Sequence, residues 1–169
     1  NEIRKLNDIA KKYNIKYQNK HKLDLVDEIL SNVDVIPNSI VLAQAAIESG
    51  WGKSRFAKEY NALFGEYTYD DSEGVIPLER ENGDTHLIKA FSSYSNSVES
   101  YFDNINSHYA YEDFRDIRNI MRKRNNFSNV NLLVNKLSTY AEDENYINTI
   151  RQVIKTNNFT IFDQKTISY

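Results

Sequence analysis

Apolar residues recur at helical spacing along most of this chain. Ile3, Leu6, Ala10 and Tyr13 form one stripe, and Leu23, Val26, Ile29, Leu30 and Val33 form a second; this is the pattern of helices with one face on a core. Further stripes are Val98, Tyr101, Phe102 and Ile105; Phe114, Ile117 and Met121; Val130, Leu133, Leu137 and Tyr140; and Tyr146, Ile147, Ile150, Val153 and Ile154. Asn96 followed by Glu99 has the form of an N-cap with its capping-box partner. These positions are predicted to face the core and carry no functional assignment.

Between about residues 63 and 91 the helical period disappears. Asn82-Gly83 is a turn dipeptide, flanked by Val75 to Arg80 and by Thr85 to Phe91, which predicts a small hairpin or irregular β-lobe. The predicted architecture is a predominantly helical α+β body interrupted by this lobe, with a cleft between the two as the natural binding site.

The segment from Asn38 to Ile47 follows Pro37 and contains only three polar residues, Asn38, Ser39 and Gln44. A helix with so little hydrophilic surface is buried. It ends in a carboxylate, Glu48, and all five glycines of the chain lie just beyond, from Gly50 to Gly83. Desolvation and the negative end of the helix dipole both disfavour charge on a carboxyl at this exit, which raises its pKa. A carboxylic acid kept protonated near neutral pH can give a proton to a leaving group, as a general acid must. The residue types equally allow Glu48 to turn outward and pair with Lys53 or Arg55.

Composition narrows the chemistry. A length of 169 residues fits a single domain, 1–169. With 21 basic and 24 acidic residues the net charge of −3 points to no nucleic-acid partner. The run Arg115 to Arg124 is read as a solvated helix face. There is no Cys, so thiol catalysis, cysteine-zinc sites and disulfides are excluded. His21, His86 and His108 are too dispersed to suggest a metal site, and no phosphate-binding glycine loop is present. The expectation is no metal and no organic cofactor. No apolar run is long enough for a membrane span; the chain starts at Asn1 without Met, which leaves an upstream signal or anchor open. Oligomeric state is not legible. Twelve Tyr and eight Phe exceed the needs of a core this size, and rings near a cleft can stack on sugar faces.

The string Gln44-Ala45-Ala46-Ile47-Glu48-Ser49-Gly50-Trp51-Gly52-Lys53-Ser54, followed by Asn61-Ala62-Leu63-Phe64-Gly65, resembles the start of the N-acetylglucosaminidase domains of glycoside hydrolase family 73. Ser54-Arg55-Phe56-Ala57 resembles the Bax-like branch. Three later segments match in order: Pro77 to Gly83, Phe91-Ser92-Ser93-Tyr94, and Tyr140 to Tyr146. The resemblance covers residues 42 to 154. It implies a lysozyme-like α+β fold, a location in the cell envelope, and cleavage of peptidoglycan glycan strands at N-acetylglucosaminyl bonds. Lytic transglycosylation of the same strands, and binding without turnover, are the alternatives. Carried over residue by residue, Glu48 matches the general acid, Glu79 the second carboxylate on the β-lobe, with Glu81 and Glu73 as neighbouring alternatives, and Tyr140 the cleft tyrosine. Gln44, Trp51, Asn61, Phe64 and Tyr67 are the expected substrate-binding residues.

Overall fold

The computed structural model describes residues 2–77, 85–124, 126, 129–141 and 143–165. Among these the helices are α1 (Glu2–Lys12), α2 (Lys22–Asn32), α3 (Asn38–Glu48), α4 (Arg55–Tyr60), α5 (Tyr94–Ser107), α6 (Glu112–Lys123), α7 (Asn131–Val134) and α8 (Tyr146–Thr156). The strands are β1 (Tyr67–Thr68), β2 (Gly74–Val75) and β3 (Leu87–Lys89), and 3₁₀ turns cover Tyr109–Tyr111 and Phe159–Lys165. The chain divides into two units, Asn1–Pro37 with Asp103–Val153, and Asn38–Phe102 with Ile154–Tyr169. None of the described helices is long and apolar enough to cross a membrane.

In the first unit, Ala10, Ile15, Leu25 and Ile29 form a buried cluster, with Leu6, Tyr13, Tyr17 and Val33 packed against it. The predicted stripe of α2 mixed two faces. Leu25 and Ile29, one turn apart, are buried, whereas Leu23 and Leu30 are exposed. Leu23 lies in the first turn, where its N–H is taken by the His21 cap. The predicted helix over Val130–Tyr140 shrinks to the single turn of α7, yet Leu133 and Leu137 are still fully buried. Apolar burial, not helical continuity, explains that spacing.

The basic run is a solvated face only in part: Lys123 and Arg124 are exposed, but Arg118 on α6 is 0% exposed, and Arg115 is buried beside it. The Arg118 guanidinium donates to the carbonyls of Asn32 (2.7 Å) and Asp34 (3.0 Å) and to Asn106 Oδ1 (2.7 Å). Arg115 donates to the carbonyls of Ile105 (2.9 Å) and His108 (2.8 Å), and Arg122 forms a two-pronged pair with the Asp34 carboxylate. A planar guanidinium holds five donors in a fixed fork and can satisfy several backbone carbonyls at once, whereas lysine brings only three donors from a single point. The three arginines therefore tie α6 to the chain after α2 and to the end of α5.

In the second unit β3 is the central strand of an antiparallel sheet ordered β1-β3-β2, with Tyr67 opposite Ile88 and Gly74 opposite Lys89. The β2–β3 pairing agrees with the predicted hairpin, but the tip at Asn82-Gly83 lies outside the described residues. Gly74 permits the close approach of the strands, because a Cβ there would fall 2.5 Å from Leu87 Cβ and 2.7 Å from Thr68 Cγ2. Helix α5 begins two residues before the predicted cap: Ser93 Oγ accepts the Asn96 N–H at 3.2 Å and donates to Asn96 Oδ1 at 2.8 Å. Asn96 is thus the partner of the cap, not the cap itself.

Two outcomes test the first unit. Arg118→Leu leaves several buried acceptors unpaired and should lower unfolding stability by about 3 kcal/mol. Chemical denaturation measures it, and a loss below about 1 kcal/mol would show that the clamp is dispensable. The second concerns alkaline pH. Burial first, then the 2.7 Å hydrogen bond to Asp103, raises the pKa of Tyr13, and the hydrogen bond to Asp103 raises that of Lys12. Folding therefore favours both protonated forms; their contribution is present below about pH 10 and is lost as pH rises above it. Tyr13→Phe should flatten the fall in thermal midpoint above that pH.

Candidate active site

Helix α3 starts after Pro37 and buries Ser39, Ile40, Ala43, Gln44 and Ala46. Its last residue, Glu48, is half-buried. The helix closes in a Schellman motif, in which the Trp51 N–H reaches the Ala46 carbonyl at 2.7 Å and the Gly50 N–H reaches that of Ile47 at 3.3 Å. Ser49 reinforces the end by donating to the Ala45 carbonyl at 2.5 Å and accepting the Gly52 N–H at 2.7 Å. Gly50, Trp51 and Gly52 are all left-handed, with φ of 56°, 59° and 70°. Left-handed backbone costs a residue with a side chain about 1–2 kcal/mol, and at Trp51 the result is an indole 55% exposed just beyond Glu48. It is not a core tryptophan.

The chain then forms α4, capped by Ser54 Oγ on the Ala57 N–H (3.1 Å) and ended by Asn61 in the left-handed region. Asn61 Nδ2 donates to the Phe91 carbonyl at 2.9 Å, tying this end to the segment after β3. Arg55 on α4 reaches Glu59 and the Ile76 carbonyl. Phe64, 2% exposed, stacks on Tyr101 with ring centroids 4.2 Å apart. The next residue, left-handed Gly65, lies beside Glu48: a Cβ on Gly65 would lie 3.9 Å from Glu48 Oε2, an ordinary contact. The two sequence segments that resemble the family therefore meet at the Glu48 carboxyl.

Beneath them Gln44, one turn before Glu48 on α3, is 0% exposed and accepts the Tyr101 hydroxyl at 2.6 Å. Gln44 and Phe64 are thus buried, while Asn61 is half-buried with its amide on the Phe91 carbonyl. Trp51 and Tyr67 do present exposed rings, and Tyr67 packs on His86 with centroids 4.3 Å apart. Glu73 is exposed in the turn before β2. Glu79 and Glu81 lie outside the described residues. Tyr140 belongs to the first unit, half-buried between Tyr146, parallel at 5.9 Å, and Tyr111 at 6.2 Å. A hollow of about 430 Å³ along Lys11 and residues 14–19 contains none of these residues.

Two neighbours escaped the sequence reading. Tyr101 sits in an apolar stripe and reads as core until its hydroxyl finds Gln44. Glu66 follows Gly65 directly, accepts the Ser100 hydroxyl at 2.8 Å, and pairs through its carbonyl with the Lys89 N–H at 2.8 Å. Its adjacency to the Phe64-Gly65 segment was the available signal.

Glu48 thus ends a buried helix beside the left-handed Gly65, in a mostly helical α+β fold with an exposed indole at hand. The chain belongs to the glucosaminidase family, described as mannosyl-glycoprotein endo-beta-N-acetylglucosaminidase, whose model matches residues 23–159. It is 35% identical to protein Bax of Escherichia coli K12 over 137 residues, covering 81% of this chain and 48% of Bax. It is also 35% identical to the peptidoglycan hydrolase FlgJ of the same organism over 92 residues, 48% of this chain and 29% of FlgJ. The chain thus spans about half of Bax and less than a third of FlgJ. Its fold resembles the catalytic domain of the autolysin Auto from Listeria monocytogenes, with a TM-score of 0.55 at 21% identity, covering 94% of this chain and 85% of that one.

Trp51 is the chain's single Trp, so its fluorescence reports this site alone. Saturating chitooligosaccharide should shift or quench the emission. A spectrum indifferent to saturating ligand would place the indole off the sugar path.

Proposed function

We propose that this chain is the catalytic domain of a cell-envelope peptidoglycan hydrolase that cleaves N-acetylglucosaminyl bonds, with Glu48 as its general acid. The observation that carries the reading is the placement of Glu48 at the exit of α3, half-buried and faced by Gly65. The family match over residues 23–159 and the likeness to FlgJ, named a peptidoglycan hydrolase, support the substrate class. The reading takes residues 1–169 as one catalytic domain with the strands as its lobe.

Breaking a glycosidic bond needs a proton on the departing oxygen, because an alkoxide leaves poorly from an oxocarbenium-like transition state. In this reading the Glu48 carboxyl delivers that proton as the bond to the anomeric carbon lengthens. A second group then activates water, the role assigned to Glu79; alternatively the 2-acetamido oxygen of the sugar attacks, with Tyr140 orienting it. Trp51 and Tyr67 offer rings to the sugar faces, while Gln44, Asn61 and Phe64 hold the segments that carry them.

Digestion of purified peptidoglycan, with mass spectrometry of the new ends, tests the reaction: reducing N-acetylglucosamine is expected, and 1,6-anhydro-muramyl ends would replace hydrolysis with transglycosylation. Glu48→Gln should fold normally and lose about 10²–10⁴-fold in turnover. Retention of more than about a tenth of wild-type activity would remove Glu48 from the role.

A further inference from the structure

The matched family region ends at residue 159, whereas the 3₁₀ turn Phe159–Lys165 continues beyond it and lies along α3. Three contacts fix its direction. Asp163 Oδ1 accepts the Ser39 N–H at 2.8 Å, in the first turn of α3, and the Phe162 carbonyl accepts Asn38 Nδ2 at 2.9 Å. At the opposite end of α3, the Phe159 ring packs on Trp51 with centroids 6.5 Å apart. The segment therefore runs antiparallel to α3 and grips both of its ends. Asp163 acts as an N-cap supplied from a distant part of the chain, satisfying an N–H that has no partner within the helix. Its carboxylate also faces the positive end of the helix dipole. The contact is buried: Ser39 Oγ and Asp163 Oδ2 are closed off from solvent there. Phe159 supports the one residue of the helix exit that pays for a left-handed backbone with a bulky side chain.

We propose that Phe159 and Asp163 are positioning residues for catalysis: the C-terminal 3₁₀ turn clamps α3 along its axis and thereby sets where Glu48 and Trp51 stand. The proposal rests on the assignment of Glu48 as the acid. Its physical basis is that a general acid works only within hydrogen-bond reach of the departing oxygen, and a displacement of about 1 Å can cost on the order of 10²-fold in rate. Neither residue touches the sugar in this role, so the effect falls on kcat more than on KM.

Four full-chain variants test it: Phe159→Ala, Phe159→Tyr, Asp163→Ala and Asp163→Asn, assayed on purified peptidoglycan well below each variant's thermal midpoint. Phe159→Ala should red-shift Trp51 emission and lower kcat about tenfold or more, with KM within about threefold. Phe159→Tyr keeps the ring and should keep both properties. Asp163→Ala should likewise lower kcat, and Asp163→Asn should restore most of it, since an amide oxygen still caps Ser39. Amide hydrogen exchange along α3 supplies a readout independent of turnover, and both alanine variants should accelerate it. Unchanged kcat in both alanine variants, or unchanged exchange along α3, overturns the proposal. If the wild-type protein yields no new glycan ends while α3 exchange still responds, the glycosidase reading fails and the clamp stands without its catalytic consequence, which also overturns the proposal as stated.

Discussion

A helix as apolar as α3 has to be enclosed, and the enclosure creates the problem that the second unit solves. Burying its side chains is favourable by about 25 cal/mol per Å² of apolar surface. Yet the helix ends carry N–H and C=O groups that cannot be left dry. At the start Asp163 takes the Ser39 N–H, and at the exit the Schellman turn takes the Ala46 and Ile47 carbonyls. In the middle Gln44 finds the Tyr101 hydroxyl. With these demands met inside the unit, Glu48 is left half-buried at the boundary between enclosure and surface.

The first unit meets a comparable demand differently. Its loop after α2 and the end of α5 present carbonyls with no ladder to join, and Arg115 and Arg118 supply the donors from α6. A guanidinium keeps its charge but spreads it, and it is more weakly hydrated than an ammonium, so its burial among carbonyl dipoles is tolerable. Asp34 contributes both its carbonyl to Arg118 and its carboxylate to Arg122. One short connection therefore binds two arginines, so part of a basic run that looks like a wet surface belongs to the interior.

Much of this was readable in the residues. The helices around Leu6, Ile29, Tyr101 and Ile150 follow from apolar spacing, because a helix repeats its faces with a fixed period whatever surrounds it. The lobe follows from the loss of that period and from the concentration of glycine. The candidate acid follows from one carboxylate ending an apolar run. Capping was read less well: Ser93 and Asn96 both carry suitable side chains, and the choice depends on where the chain enters the helix.

By itself, the sequence determined the fold class, the α3–Glu48 arrangement and the family, since each is carried by local pattern or by contiguous residues. Only the tertiary structure decided that Gln44 and Phe64 lie beneath the site while Trp51 and Tyr67 are exposed, because burial depends on what packs from elsewhere in the chain. The same holds for Arg118, whose partners Asn32 and Asp34 stand more than eighty positions away, and for Asp163, which lies 124 positions from the N–H that it caps. A hydrogen bond requires about 3 Å of approach and an aligned donor, and no pattern along the chain records a meeting between residues so far apart.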